Sequence, residues 1–82
     1  MIRVLYFASL RERLGLGDET LQANPGTVAG LRAALAARGD AWQEVFAGAQ
    51  RVLVAVNQEM AGEDHALKDG DEVGFFPPVT GG

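Results

Sequence analysis

A single long helical pattern, set between two pairs of strand-like segments, most restricts how this chain can fold. Residues 27–39 read TVAGLRAALAARG, in which Val28, Leu31 and Leu35 recur on one helical face and Thr27 can cap the first turn. Four other segments have the composition or position typical of strands: 2–8, 19–23, 51–57 and 72–76. The chain therefore reads strand, strand, helix, strand, strand.

This order predicts an α+β domain of the β-grasp, or ubiquitin-like, class, with a small mixed sheet covered on one face by one main helix. The first and last strands are the most apolar and are expected at the centre of the sheet. Short helices are predicted within 9–15 and 41–47, the second capped by Asp40. The alternative is a ferredoxin-like fold, but residues 57–71 are too polar and glycine-rich for the second long helix that it needs.

Alternation along the strands predicts an apolar face that no helix covers. If Ile2, Val4 and Tyr6 face the helix, the alternating residues of the same strand, at positions 3, 5 and 7, face away from it. The apolar side chains expected on this outer face are Leu5, Phe7, Leu53, Met60 and Phe76. Such a patch is typical of a protein interface, unless loops cover it or the register is shifted by one residue.

Composition excludes several classes of function. The 82 residues suffice for one domain, and they include no cysteine and only one histidine, His65. A disulfide framework and a thiolate metal site are therefore excluded, and no metal site is predicted. The net charge is −4, and residues 57–82 hold six acidic side chains against Lys68 alone, so no nucleic-acid partner is expected. Without an apolar run long enough to span a bilayer or a signal sequence, we expect a cytoplasmic protein without a membrane partner.

The chain ends in FFPPVTGG, which predicts a β-grasp domain at 1–77 and a C-terminal tail at 78–82. Two prolines end the last strand, two β-branched residues favour extension, and two glycines leave the terminal carboxylate unhindered. In chain order these residues are Pro77, Pro78, Val79, Thr80, Gly81 and Gly82. A slim tip of this kind can enter a narrow channel in another protein. Once adenylated by ATP, the carboxylate of Gly82 could be converted to a thiocarboxylate.

Four stretches carry a resemblance to a known family over essentially the whole chain. They are MIRVLYFASLRE at the start, VAVNQE at 54–59, DHALKDGDEV at 64–73 and FFPPVTGG at the end. With these stretches the chain resembles the MoaD family, the small sulfur-carrier subunits of molybdopterin synthase.

The resemblance implies a mechanism and two partners. An adenylating enzyme related to ubiquitin-activating enzymes would use Mg-ATP to activate Gly82, which then becomes a thiocarboxylate. The charged carrier would dock on the large catalytic subunit, in a heterotetramer of two small and two large subunits, and pass sulfur to a cyclic pyranopterin precursor. The chain would bind no cofactor and would not be an enzyme by itself. The docking residues would be Phe7, Arg11, Met60 and Phe76.

Three alternatives remain open at this point. A ubiquitin-like carrier could serve another acceptor, such as the thiazole of thiamine or a tRNA base. It could instead be a protein modifier joined through Gly82 to lysines. It could also be a plain binding module with no chemistry at its terminus.

Overall fold

The computed structural model describes residues 1–48 and 51–78. Within these ranges the elements are β1 (Ile2–Tyr6), α1 (Ser9–Leu14), β2 (Asp18–Leu21), α2 (Val28–Ala36), α3 (Asp40–Ala47), β3 (Leu53–Val56), β4 (Glu59–Met60) and β5 (Glu72–Phe76). The strands form one sheet in the order β2-β1-β5-β3-β4, with β1 and β5 parallel and the other pairs antiparallel. The first and last strands therefore lie side by side in the middle of the sheet, as predicted. The tail residues Val79, Thr80, Gly81 and Gly82 lie outside the described residues.

The core lies between the sheet and the helices. Alternate residues of the strands are buried there, as the sequence predicted: Ile2, Val4, Tyr6, Val54, Val56, Val73 and Phe75. From α2 the three residues of the predicted helical face, Val28, Leu31 and Leu35, complete this layer. The Thr27 side chain accepts a hydrogen bond from the Gly30 N–H at 3.1 Å, which confirms it as the cap. The predicted register is therefore correct.

A second helix, α3, shares the covered face with α2. Its Phe46 ring packs edge-on against Phe75, with 4.9 Å between centroids, and Val45 is also buried. Nine residues of α2 span only about 14 Å, and α3 adds Val45 and Phe46 to the same buried layer. The predicted Asp40 cap is wrong: Gly39 occupies the cap position without a side-chain bond, and Asp40 has φ 48°, outside the extended region that a capping residue adopts.

The segment NQEM, residues 57–60, forms a tight turn and a short strand. Asn57 and Gln58 have φ of 50° and 70°, the pair of positive values that a type I′ turn requires. Glu59 and Met60 then pair with β3 as a two-residue edge strand. The sequence signal was weak because glycine, the usual second residue of this turn, is replaced by glutamine.

A polar cluster joins β1, β2 and the end of α2. The Tyr6 hydroxyl donates to a Glu19 carboxylate oxygen at 2.7 Å, and Arg38 donates to both Glu19 oxygens at 2.8 Å. The Arg38 guanidinium also lies 4.4 Å from the centroid of the Trp42 ring. Burial, followed by the hydrogen bond to Glu19, raises the pKa of Tyr6, whereas the hydrogen bonds from Arg38 lower the pKa of Glu19. The cluster therefore holds a neutral phenol against an ionised carboxylate.

Candidate functional site

The sheet face opposite the helices carries a row of apolar side chains near the end of β5. Leu53 of β3 lies opposite Phe76, and Phe7 follows β1, with its N–H donating to the Phe75 carbonyl at 3.0 Å. Phe7 is 48% exposed, and Leu53 and Phe76 are partly exposed. The structure thus brings together two of the predicted docking residues, Phe7 and Phe76, at the point where the C-terminal strand ends.

A second row on this face has small residues at its centre. The strand pairing aligns Leu5, Gly74, Ala55 and Met60 across the sheet. A β-carbon on Gly74 would lie 2.9 Å from Cε2 of Phe7, so the Phe7 ring rests over this glycine. Sequence reasoning missed Gly74, although a glycine inside an apolar strand is a signal for close approach. The predicted docking residue Met60 lies at the far edge, 65% exposed.

Arg11, the fourth predicted docking residue, projects from α1. A β-carbon on Gly17 would lie 3.1 Å from its Nε, so the guanidinium covers the connection between α1 and β2. Arg11, Glu12 and the exposed Leu16 line a shallow depression there. The structure therefore gives Arg11 a position on α1 rather than within the two apolar rows on the sheet.

The last strand links the apolar face to the C-terminal tail. Phe76 belongs both to β5 and to the apolar row, and Pro77 and Pro78 follow it directly, each partly buried. Because proline has no N–H, these residues cannot extend the sheet pairing on the donor side. Any molecule that contacts Phe76 also lies beside the start of the tail.

The opposite end of β5 is polar and internally paired. Asn57 donates to an Asp71 carboxylate oxygen at 3.0 Å, and the Lys68 N–H donates to the other oxygen at 2.8 Å. These two bonds, that from the Lys68 N–H first, lower the pKa of the Asp71 carboxyl. The Met1 ammonium forms an ion pair with Asp69. Several acidic groups of the C-terminal third therefore have partners within this chain, which leaves fewer to attract a basic partner.

Within residues 1–48 and 51–78, no three carboxylate or histidine side chains cluster closely enough to hold a metal ion. No helix in these ranges is long and apolar enough to cross a membrane.

Comparison with known proteins identifies the family. The ThiS family matches residues 4–82. The chain belongs to the ThiS family. Two relatives align with all 82 residues and over their own full length: the molybdopterin synthase sulfur carrier subunits of Escherichia coli, 48% identical, and Haemophilus influenzae, 42% identical. The resemblance to the small subunit of molybdopterin synthase is thereby confirmed.

Two solved structures place this ThiS family member among ubiquitin-like proteins. SAMP1 of Haloferax volcanii, a small archaeal modifier protein, has a TM-score of 0.78 and 31% identity, with 99% of this chain and 98% of that chain covered. A chain in the complex of subunits 1 and 2 of the Helicobacter pylori molybdopterin-converting factor has a TM-score of 0.69 and 27% identity, with 99% of this chain and 97% of that chain covered. The predicted α+β β-grasp fold is confirmed.

Proposed function

We propose that this chain is a cytoplasmic sulfur carrier for molybdopterin formation, with the Gly82 carboxylate as the group that carries sulfur. The observation that carries the proposal is that Phe76 belongs both to the exposed apolar face and to the strand that leads into the tail. A partner bound to that face would receive the tail. The full-length similarity to two molybdopterin synthase sulfur carrier subunits supports the choice of pathway.

The chemistry requires activation, because a free carboxylate is a poor acyl donor. In a ubiquitin-activating-type enzyme, a Gly82 carboxylate oxygen attacks the α-phosphorus of Mg-ATP and pyrophosphate leaves. A hydrosulfide-equivalent donor then attacks the acyl-adenylate carbon, AMP leaves, and Gly82 becomes a thiocarboxylate. Its sulfur next attacks a carbon of the cyclic pyranopterin precursor and displaces an oxygen substituent, which leaves with its bonding electrons. Water then cleaves the acyl–sulfur bond, so the sulfur stays on the precursor and the Gly82 carboxylate is restored. Two such transfers build the dithiolene.

This chain supplies docking and presentation, and it binds no cofactor of its own. Phe7, Leu53 and Phe76 would bury their exposed area against the large catalytic subunit, in an assembly of two small and two large subunits. Met60 and Arg11 would contact the partner at the margins of this surface. The complex of subunits 1 and 2 of the Helicobacter pylori protein supports a partner of this kind. Catalytic groups for the transfer would belong to the large subunit.

The proposal is tested by incubating the chain with an adenylating enzyme, Mg-ATP and a sulfur donor, followed by intact mass measurement. We expect a gain equal to replacing one oxygen by sulfur, located at Gly82 by fragmentation. The control is the same chain extended by one alanine, whose terminal carboxylate is displaced and which should gain no sulfur. A wild-type chain that stays unchanged with active partners would exclude the proposal.

A second candidate function is protein modification through Gly82. Its support is the similarity to SAMP1, a modifier protein by name. The same incubation distinguishes the two, because conjugation to lysines of other proteins gives higher-mass adducts instead of a thiocarboxylate. A carrier that serves thiamine or tRNA would also form the thiocarboxylate, but would not support molybdopterin synthesis by a large subunit.

A further inference from the structure

The basic side chains of this protein are almost all arginines. Lys68 is the single lysine in the sequence, and the remaining six basic residues are arginine. An arginine guanidinium stays protonated at any accessible pH and does not attack acyl groups, whereas a lysine amine does so once it loses its proton. Besides Lys68, the amine of Met1 is the other aliphatic amine in this sequence.

Met1 and Lys68 both lie at the end of the sheet where β5 begins. The Met1 carbonyl accepts a hydrogen bond from the Gly70 N–H at 2.7 Å, and the Met1 ammonium is paired with Asp69. Lys68 is held beside Asp71 by its own N–H. From Glu72, β5 then runs away from both residues to Phe76, over about 13 Å.

Arginines occupy the other end, where the tail begins. Leu53 lies opposite Phe76 in antiparallel pairing, so the exposed Arg51, two residues before Leu53, lies at the end of the sheet where the tail begins. Two more arginines follow β1 on α1, at the same end of the central strands: Arg11 and Arg13. These three basic side chains near the start of the tail are therefore guanidinium groups, which are not acylated.

We propose that this placement protects an activated Gly82 from the chain's own amines, an inference that rests on the proposed activation of Gly82. In the reaction avoided, an amine nitrogen attacks the acyl carbon, AMP or a thiol leaves, the nitrogen loses a proton, and a dead-end amide remains. The four residues after Pro78 span at most about 14 Å. The prolines follow Phe76 at one end of β5 and Lys68 precedes the other end, so about 13 Å of strand separates the start of the tail from the segment that holds Lys68.

The test uses the full chain prepared chemically as a thioester at Gly82, so that it needs neither an adenylating enzyme nor a sulfur donor. Three chains are compared at about pH 9, where lysine is partly deprotonated: wild type, Arg51→Lys and the matched control Arg3→Lys, which adds an amine beside the start of β5. Intact mass distinguishes the internal amide, which has lost the thiol, from the hydrolysed acid, and peptide mapping locates the link. Thermal unfolding verifies that the variants fold.

We expect Arg51→Lys to form the internal amide at least tenfold faster than wild type or Arg3→Lys, at a rate independent of protein concentration. Equal rates in Arg51→Lys and wild type, whether both fast or both slow, would overturn the proposal. A rate in Arg3→Lys as fast as in Arg51→Lys would also overturn it, because position would then not matter. The two proposals can fail separately. If Arg51→Lys forms the amide faster as expected but the enzymatic test gives no thiocarboxylate, the proposed function is wrong, whereas the inference about amine placement is retained.

Discussion

At the scale of single residues, Ala8 adopts a backbone conformation that favours glycine. Its φ and ψ are 54° and −130°, and the Leu10 N–H donates to the Phe7 carbonyl at 3.1 Å. These values describe a type II′ turn with Ala8 at its first central position. The turn ends β1 immediately after Phe7 and starts α1. The backbone strain at Ala8 therefore lies beside the apolar row on the outer face of the sheet.

We expect Ala8→Gly to raise the free energy of unfolding by about 1 kcal/mol, because glycine adopts a positive φ without steric cost. The measurement is urea denaturation. The matched control is Ala33→Gly at an exposed position of α2, where glycine should instead lower stability by roughly 0.5–1 kcal/mol. Equal effects of the two substitutions would contradict the turn assignment.

At the scale of elements, the cluster of Tyr6, Glu19, Arg38 and Trp42 attaches the edge strand β2 to the helical layer. Glu19 receives three hydrogen bonds, all charge-assisted, and its side chain is 19% exposed. By contrast, the neighbouring ion pair between Asp18 and Arg3 is more than half exposed at both ends, with a separation of 3.3 Å. Adjacent carboxylates on one strand therefore differ in how much they can contribute to stability.

We expect Glu19→Gln to lower the free energy of unfolding by roughly 1–3 kcal/mol at pH 7. Since the pKa of Glu19 is lower in the folded than in the unfolded chain, this contribution is complete above the unfolded pKa of about 4.3 and is lost as pH falls through the folded value. The difference in free energy of unfolding between wild type and Glu19→Gln, measured by urea denaturation, should therefore decrease below about pH 4. Asp18→Asn, the control, should cost less than about 1 kcal/mol; a gap of the same size at pH 3 and pH 7 would refute the assignment.

At the scale of the whole molecule, the sheet has one face for stability and one for contact. Phe75 is fully buried, with its ring against Phe46 and the Arg32 guanidinium 5.6 Å from its centroid. Phe76, the next residue, points to the opposite face and is partly exposed. Two adjacent phenylalanines thus belong to different surfaces of the same strand.

We expect Phe75→Ala to lower the free energy of unfolding by about 3–5 kcal/mol, a large part of the stability of so small a domain. Phe76→Ala should cost much less stability but weaken binding to the large subunit about tenfold or more. Urea denaturation and titration calorimetry measure the two effects. Unchanged binding by Phe76→Ala would show that the outer face is not the docking surface.

The sequence by itself predicted four of the five strands and their order along the chain, the core register and the face of α2, because alternation at period 2 and recurrence at 3.6 are local patterns. The sequence also contains FFPPVTGG, and from this stretch we predicted the chemistry at Gly82. That chemistry remains a prediction. Sequence reasoning failed at Asp40, whose backbone conformation is not that of a cap, and it did not predict β4, because a two-residue strand is recognised only by its pairing with β3.

Only the tertiary structure decided what lies together across the sheet. Parallel pairing of β1 with β5 brings Phe7 over Gly74 and beside Phe76, although almost seventy positions separate them in the chain. The same pairing places Met1 and Lys68 at one end of the sheet and the start of the tail at the other. Such relations depend on non-local strand pairing, which no short pattern encodes, and they determine which residues lie near Phe76 and the start of the tail.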